Sequence, residues 1–554
     1  SSEVRAQVQH TLGDAPAAEL QSREAAPASM GGCTSVASDT SSTLECDISS
    51  RLRFTGHEAT LSTESNPRNE FRSRVNSTDS ETSRSPFVLD SRGNISQSYD
   101  LSHDKIGAGA FGFVFRGIHK TTGAERAVKR IIQVSADDSA GWRQEVAFLG
   151  ALDHPNVIRL FETIEDSRSV YLAMELAEGG DLFDRILAAK RFGEDDAGNV
   201  MRDVLRAVRY LHGRDIAHRD LKPENFLLLN KGPVDGNVLK LADFGSATIC
   251  LEGQVLKSKV GTAFYVAPQV LLRRYSRECD LWSAGVLMFV VLAGSMPFPG
   301  RSDAEVLARV RQGSYSFSAP AWRGVSRAAK ELIRSLLSVS VRARFTAEQA
   351  LNHRWLKDDM VGATPSFDEF DFGNFEAYSA VNEVKKYALQ IIARQVKDRE
   401  VKGLRDLFIG LDANNDGVLT EQELISGMEQ QGLAGDISLA QRLFRLLASN
   451  GKEGIPYTEF IAAASDPRSL VERDLCRAAF SVFDLNGDGR ISLEELEKVL
   501  HQGADEGHAS SLKSLLTELD IDGDGGISFQ EFMAMMRFES ARHGVPRTAV
   551  LGGA

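Results

Sequence analysis

The sequence predicts an α+β chain in which a two-lobed domain of strands and helices precedes an all-α domain. Two observations predict this order. Short β-rich runs begin at Tyr99 and give way to helices joined by loops up to Trp355, which is about the size of one bilobal domain. Beyond a linker, acidic loops recur every 36 residues between positions 403 and 538, a period typical of helix-loop-helix units. A chain of 554 residues can hold several such domains.

Composition narrows the classes of function. Much of the net charge of −13 comes from DxNxDG-type loops, which favours metal ions over nucleic acid as partners. The longest apolar run, SAGVLMFVVLAG, is too short to cross a bilayer and predicts a buried core helix. Five cysteines without paired spacing indicate a reducing, cytoplasmic compartment and no disulfides: Cys33, Cys46, Cys250, Cys279 and Cys476.

Residues 1–98 are rich in polar residues and show no sustained period, so we expect a disordered tail. Within it, Met30 opens Met-Gly-Gly-Cys-Thr-Ser, which fits the pattern for N-myristoylation of Gly31. Palmitoylation of Cys33 would add the second acyl chain that lasting attachment needs. If translation starts at Met30, we expect a cytoplasmic protein attached to the plasma membrane or an internal membrane. The alternative is an accidental internal match in a plain soluble tail.

A glycine-rich loop of the form G-x-G-x-x-G-x-V would let backbone amides approach phosphate groups. Its residues are Ile106, Gly107, Gly109, Gly112 and Val114. Alone, such a loop also fits a dinucleotide-binding fold. Ala127 and Lys129 on a predicted third strand, with Glu145 on a following helix, decide against that alternative because this pair is typical of an ATP site.

Two further motifs predict the chemistry. In HRDLKPEN, Asp220 would orient a substrate hydroxyl and accept its proton, and Asn225 would hold Mg²⁺. Asp243 of the DFG motif would be the other magnesium ligand. The loose transition state of phosphoryl transfer needs fixed cations around ATP, which Lys129, Lys222 and two Mg²⁺ ions would supply.

With these motifs in order, residues 99–356 resemble the eukaryotic protein kinase domain. Lys222 after HRDL and Thr262 in GTAFYVAPQ imply serine/threonine specificity. The resemblance implies a gatekeeper at Met174 and an adenine-binding hinge at Glu175–Glu178. It also implies roles for three acids: Asp280 would anchor the catalytic loop, and Asp181 and Glu224 would favour basic residues of the substrate.

Two positions depart from the kinase pattern. Gln269 replaces the usual glutamate of the Ala-Pro-Glu motif, so the ion pair expected with Arg344 becomes a hydrogen bond to a neutral acceptor. We expect a looser activation segment and preserved activity. Ser258 lies at the usual activation-loop phosphosite, and we predict that its phosphorylation is optional.

An EF-hand loop needs oxygen ligands at positions 1, 3, 5, 7 and 9, glycine at 6 and a bidentate glutamate at 12. Three of the four repeats comply, which predicts three bound Ca²⁺ ions; the fourth repeat, with one more carboxylate, should bind most tightly. A single acidic loop could be a solvated turn, but three in register are not. Their ligands at positions 1, 3, 5, 7 and 12 are Asp412, Asn414, Asp416, the Val418 carbonyl and Glu423; Asp484, Asn486, Asp488, the Arg490 carbonyl and Glu495; and Asp520, Asp522, Asp524, the Gly526 carbonyl and Glu531.

The second repeat, at 448–459, is degenerate. Ala448, Lys452 and Pro456 occupy ligand positions, although the apolar frame and the final glutamate remain. It is predicted to act as a structural partner of the first hand, through the position-8 residues of the two loops, Leu419 and Ile455.

A kinase domain, a junction at 357–400, four hands within 401–537 and a tail at 538–554 resemble the calcium-dependent protein kinases of plants and protists. The likeness implies that a junction helix from Phe375 to Lys397 blocks the kinase when calcium is low. The same basic, amphipathic helix fits an EF-hand groove, and a plain spacer helix is the alternative. The groove would be lined by Met533, Met535 and Met536.

Two rival functions fit parts of the sequence. A silent calcium sensor that scaffolds partners at a membrane should lack a catalytic residue, yet all five are present: Lys129, Glu145, Asp220, Asn225 and Asp243. A kinase activated by separate calmodulin would use the repeats for dimerisation, but three intact loops make a separate sensor unnecessary. We therefore expect a monomeric kinase that acts on proteins with basic residues near serine or threonine.

Overall fold

The computed structural model describes residues 88–109, 112–132, 139–357, 371–430, 437–447, 454–500 and 509–537. The predicted acylation sites Gly31 and Cys33 lie outside these ranges, as do Ala448 and Lys452 of the second hand. Across the described ranges, every helix is too short or too polar to cross a bilayer. One large apolar core fills the first domain and a second fills the junction and the EF-hand module, so the predicted α+β architecture is confirmed.

The amino-terminal lobe is built on a six-stranded sheet. Its strands β1 to β6 are Leu89–Arg92, Tyr99–Gly109, Gly112–His119, Glu125–Ile132, Leu160–Glu165 and Ser169–Met174. Their order is β1-β5-β6-β4-β3-β2, and only β1 pairs in parallel with its neighbour. Two helices belong to this lobe, α1 at Ile95–Ser98 and α2 at Ser139–Ala151.

The prediction of a disordered tail up to residue 98 is wrong for residues 88–98. Four residues are too few to show a period, but β5 offers them the hydrogen bonds of an open sheet edge. The Asn94 side chain then starts α1 by accepting a hydrogen bond from the backbone of Ser96. The order of this segment therefore comes from its neighbours in the fold.

The carboxy-terminal lobe is mainly helical. Its helices α3 to α10 are Leu182–Ala189, Glu194–Gly213, Pro268–Leu271, Cys279–Ala293, Asp303–Gln312, Arg327–Leu336, Ala347–Leu351 and Arg354–Lys357, and its strands β7 to β10 are Ile216–Ala217, Phe226–Leu228, Leu239–Leu241 and Thr248–Ile249. The central helix α6 is buried along almost its whole length, as its apolar sequence predicts, and α4 and α8 pack on it. The short strands pair as β7 with β10 and β8 with β9, on either side of the catalytic loop.

The junction contains two helices, α11 at Phe372–Ser379 and α12 at Glu383–Gln395. The prediction of one helix from Phe375 to Lys397 is therefore wrong. The break occurs because the Asn382 side chain accepts a hydrogen bond from the backbone of Lys385 at 2.9 Å, which starts a new helix.

The EF-hand module consists of two paired units. Helices α13 to α21 are Lys402–Leu411, Glu421–Gln430, Ile437–Leu447, Tyr457–Ala464, Pro467–Leu470, Arg473–Phe483, Leu493–Leu500, Ala509–Leu519 and Phe529–Arg537, and strands β11 to β14 are Val418–Leu419, Ile455–Pro456, Arg490–Ile491 and Ile527–Ser528. Leu419 pairs with Ile455, which confirms the predicted partnership of the first two hands. Ile491 pairs with Ile527 in the same way.

Candidate active site and calcium loops

Charged residues from three elements converge at Lys129. Its Nζ lies 2.6 and 2.9 Å from the Glu145 carboxylate oxygens and 3.4 Å from Asp243 Oδ1. Burial alone would lower the pKa of Lys129, but the two carboxylates outweigh it, so its pKa is raised and the lysine stays charged. Burial would raise the pKa of Asp243, but Lys129 outweighs it and the pKa is lowered. The site thus holds a fixed ammonium beside an ionised aspartate.

The residues predicted to contact the nucleotide lie on β2, β3, β4 and β6: Ile106, Gly107, Gly109, Gly112, Val114, Ala127 and Met174. Gly112 has no space for a side chain, since a Cβ there would lie 1.8 Å from the Arg130 carbonyl oxygen. Ala127 and Met174 are direct cross-strand partners. Ile106 leaves 51% of its surface exposed, which gives an apolar surface that could cover an adenine ring.

The Asp220 carboxylate is oriented by two donors. Lys222 Nζ donates to Oδ2 at 2.8 Å, and Thr262 Oγ1 donates to Oδ1 at 2.8 Å. The Asn225 side chain donates to the Asp220 carbonyl at 2.8 Å, which ties the two ends of the catalytic loop together. From the sequence, Thr262 indicates only serine/threonine specificity. In the structure its hydroxyl also bonds to the Asp220 carboxylate, which places Thr262 in the catalytic cluster.

Asp280, at the start of α6, holds the catalytic loop from beneath. Its carboxylate accepts the backbone N–H groups of His218 at 2.9 Å and Arg219 at 2.8 Å, and its Oδ2 lies 3.0 Å from His212 Nε2. Burial would raise the pKa of Asp280, but His212 and these donors outweigh it and the pKa is lowered. The contact that the resemblance implied is present.

Glu175, which the kinase resemblance assigns to the hinge, has its carboxylate bound by two cations. Arg159 Nη2 lies 2.6 Å from Oε1 and Lys240 Nζ lies 3.3 Å from Oε2. Burial would raise the pKa of Glu175, but these two cations lower it to about 2. Any contact of Glu175 with adenine would therefore come from its main chain. Burial lowers the pKa of Lys240 to about 8.

The activation segment is held by hydrogen bonds to neutral acceptors. Arg219 Nη1 donates to Ser258 Oγ at 2.7 Å, and Tyr275 donates its hydroxyl to the Ser258 carbonyl at 2.8 Å. Further along, Arg344 Nη2 donates to Gln269 Oε1 at 2.9 Å, as predicted from the missing glutamate. Arg344 also donates to the Ser338 carbonyl at 2.9 and 3.0 Å. Main-chain acceptors thus replace part of the missing charge.

The three predicted calcium loops share one closed shape. The position-6 glycines have φ of +78°, +88° and +94° at Gly417, Gly489 and Gly525, a conformation that favours glycine. In each loop the first aspartate accepts the backbone N–H of that glycine, at 2.9 to 3.0 Å. The position-12 glutamates turn inward, since Glu423 accepts from the Asn414 backbone at 3.1 Å and its counterparts do the same.

The donor sets fit a divalent cation. Ligand oxygens of Asp520, Asp522 and Asp524 all lie within 4.8 Å of one another. Burial raises the pKa of Asp412 to about 7, and its acidic neighbours add to the rise. A cation would relieve this repulsion. In the fourth loop the guanidinium of Arg490 contacts Asp524. One carboxylate of that loop therefore already has a positively charged partner.

The junction helix α12 lies in the groove of the EF-hand module, packed against α16 and α18. The ammonium of Lys385 is buried and donates to the Met535 carbonyl at 3.0 Å, at the end of α21. The predicted lining residues Met533, Met535 and Met536 belong to the same apolar core. The sequence of this helix fits either the kinase cleft or the EF-hand groove. In this structure the helix occupies the EF-hand groove.

The module docks on the kinase domain close to the end of α2. Asp153 accepts both the backbone N–H of Thr458 at 2.8 Å and its hydroxyl at 2.5 Å. Arg159 Nη1 donates to the Arg394 carbonyl at 2.9 Å, at the carboxy-terminal end of α12. Arg159 therefore links Glu175, in the predicted hinge, to the junction helix.

The first calcium loop is itself part of this interface. Arg206 Nε, on α4, donates to Asn415 Oδ1 at 3.1 Å. Gly417 lies so close to the kinase that a Cβ would come within 2.6 Å of the Tyr210 ring. One calcium-binding loop is thus in direct contact with the catalytic domain.

Fold and site together define a serine/threonine protein kinase that carries EF-hands on the same chain. Residues 101–356 match the protein kinase domain, 404–428 an EF hand and 472–537 an EF-hand domain pair. The chain is 38% identical to calcium-dependent protein kinase 3 of Plasmodium berghei, over 82% of this chain and 83% of that protein. It is 36% identical to calcium-dependent protein kinase 17 of Arabidopsis thaliana, over 80% and 84%. The chain therefore belongs to the calcium-dependent protein kinase family, as the sequence motifs predicted.

The sequence does not predict the residues of this interface. Asp153 and Thr458 are 305 positions apart. Asp153 belongs to no motif, and Thr458 occupies a position of the degenerate second loop that does not bind calcium even in an intact EF-hand. Arg206 and Tyr210 lie within a helix and belong to no motif that would indicate a docking surface. No motif or period within the chain pointed to these contacts.

Proposed function

We propose that calcium switches this kinase by moving the junction helix between the catalytic cleft and the EF-hand groove. The supporting observation is that α12 lies in the groove, while the end of the helix contacts Arg126 and Arg159 behind the hinge. At low calcium the same basic, amphipathic helix would cover the substrate side of the kinase. Calcium can drive the change only through its higher affinity for one of the two states.

For the catalytic step we propose that Asp220 orients the substrate hydroxyl and accepts its proton. The two bonds from Lys222 and Thr262 support this role because they fix the carboxylate before a substrate arrives. Lys129 and Lys222 would stabilise negative charge on the ATP phosphates. Asn225 and Asp243 would hold two Mg²⁺ ions, which supply charge neutralisation when bound.

We propose that the first, third and fourth loops hold three Ca²⁺ ions and that the second holds none. The converging carboxylates support the first part of this proposal.

The exposed carboxylate of Glu224 supports a preference for basic residues in the protein substrate. A separate calmodulin is not needed, since the module already lies against the kinase domain.

The activity is tested with ATP and a basic peptide in calcium and in EGTA. We expect calcium-stimulated phosphorylation, which Asp220→Asn should abolish. Glu495→Gln removes a position-12 ligand and should raise the calcium needed for half-maximal activity. Glu494→Gln, at the exposed neighbouring residue, is the matched control and should titrate like the unmodified chain. Full activity in EGTA would refute the switch.

We propose that Ser258 acts without phosphorylation, because its neutral hydroxyl already accepts the bond from Arg219. Ser258→Ala should keep its calcium-stimulated activity, and loss of that activity would contradict the proposal.

We also propose acylation at Gly31 and Cys33, with attachment to a membrane. The intact mass of the native amino terminus tests it, since an unmodified mass would overturn it.

A further inference from the structure

Strand β1 occupies the edge of the amino-terminal lobe that β5 would otherwise expose. Leu89 through Arg92 pair in parallel with Glu162 through Glu165, and the Gly93 N–H donates to the Glu165 carbonyl at 3.0 Å. A strand of four residues is short, and an isolated parallel pair of this length is marginal in water. Side-chain contacts must therefore supply much of its stability.

Two side chains of β1 bond to β5. Ser91 Oγ donates to Glu162 Oε1 at 3.1 Å, and Thr163 Oγ1 donates to Asp90 Oδ1 at 2.8 Å. Glu162 is only 4% exposed, and burial raises the pKa of its carboxyl group. The Ser91 hydroxyl thus gives a buried carboxylate a partner that solvent cannot supply. The strand fits this edge through its side chains as well as its backbone.

The start of β1 touches both domains. Val88 packs against the apolar core of the kinase, whereas Leu89 packs against the core formed by the junction and the EF-hands. The other end of the segment is fixed independently, because α1 follows and leads directly into β2. The Leu89 end is therefore the part whose stability depends on where the EF-hand module lies.

We propose that residues 88–93 are a clip that closes when the calcium-loaded EF-hand module docks on the kinase. The clip binds to a surface with two parts, the edge of β5 and the apolar surface of the EF-hand module. Residues 88–93 of the same chain occupy this surface. Closing the clip stabilises docking, and docking stabilises the clip to the same extent. The inference rests on the proposed movement of the module with calcium.

Hydrogen exchange of the full-length chain tests the clip directly. Backbone amides of residues 89–93 should exchange at least about tenfold more slowly in calcium than in EGTA. Equal exchange in the two conditions would overturn the inference, because the strand would then form regardless of the module. If activity itself does not respond to calcium, the proposed switch fails instead, so the two failures are distinguishable.

A pair of variants provides the second test. Leu89→Asp places a carboxylate against the apolar core of the module and should raise the calcium needed for half-maximal activity by at least about threefold. Gln97→Asp makes the same change of charge at an exposed position on α1 and should leave the titration unchanged. Melting temperatures in EGTA should match for both variants, since the clip is open there. A Leu89→Asp titration that overlays the unmodified chain would overturn the inference.

Discussion

Replacing Asp153 should weaken the hold of the EF-hand module on the kinase domain. The carboxylate accepts two hydrogen bonds from Thr458, at 2.8 and 2.5 Å, across an interface that is partly buried. A hydrogen bond to a charged group contributes about 1.5 kcal/mol at the lower end of its range. Asp153→Ala should therefore cost about 3 kcal/mol, roughly a hundredfold in the docking equilibrium.

This loss has a defined size in a calcium titration. If three Ca²⁺ ions bind together with docking, the equilibrium follows about the third power of the calcium concentration. A hundredfold loss is then offset by roughly fivefold more calcium. Thr458→Val keeps the backbone donor and removes only the hydroxyl, so it should cost about 1.5 kcal/mol and require roughly twofold more calcium. Activity at saturating calcium should be preserved, because neither side chain lies in the catalytic cluster.

The assay is peptide phosphorylation in calcium buffers, with the two single variants and the double variant. Once Asp153 is alanine, Thr458→Val should have almost no further effect, since the hydroxyl has lost its acceptor. Asp235→Ala, at an exposed acid in a loop of the kinase domain, serves as the control. Fully additive shifts, or an Asp153→Ala titration that matches the unmodified chain, would refute the reasoning.

Three further predictions follow from particular contacts. Gly417→Ala should raise the calcium requirement much more than Gly489→Ala, because both have positive φ but only the first would place a methyl group 2.6 Å from a kinase ring; parallel calcium titrations of the two variants check this. Gln269→Glu should change the free energy of unfolding by less than about 1 kcal/mol, since the ion pair gained with Arg344 is offset by the loss of an amide donor to a carbonyl; a denaturant melt tests it, and a gain above about 2 kcal/mol would contradict it. Thr262→Ala should lower kcat about tenfold with little change in KM for ATP, and Thr262→Ser should restore it, as steady-state kinetics would show.

Local motifs predicted what depends on local geometry. The Lys129–Glu145 pair follows from the order of a strand and a helix, and the Leu419–Ile455 pairing follows from their equal positions in paired loops. The break at Asn382 was also local, but a single capping side chain is weaker evidence than the continuous apolar period around it. The formation of these elements depends only on residues that are close along the chain.

The tertiary contacts could not be predicted in the same way. The β1 segment has no strand pattern of its own, and its order depends on the exposed edge of β5 and on Leu89 reaching the second core. Asp153 and Thr458 would each be satisfied by water if the domains were apart. Only the packing of two domains brings such residues together, and a single sequence contains no record of it.

Under the proposed switch, calcium acts on the chemistry through the position of the docking site. Asp153 lies two residues after the end of α2, and α2 presents Glu145 to Lys129. The module therefore supports the helix that completes the buried ion pair, and Arg159 extends the same support to the hinge through Glu175. None of these contacts adds a catalytic group. Under the proposed switch, docking therefore favours a catalytic geometry that the kinase domain already contains, while the junction helix lies in the EF-hand groove.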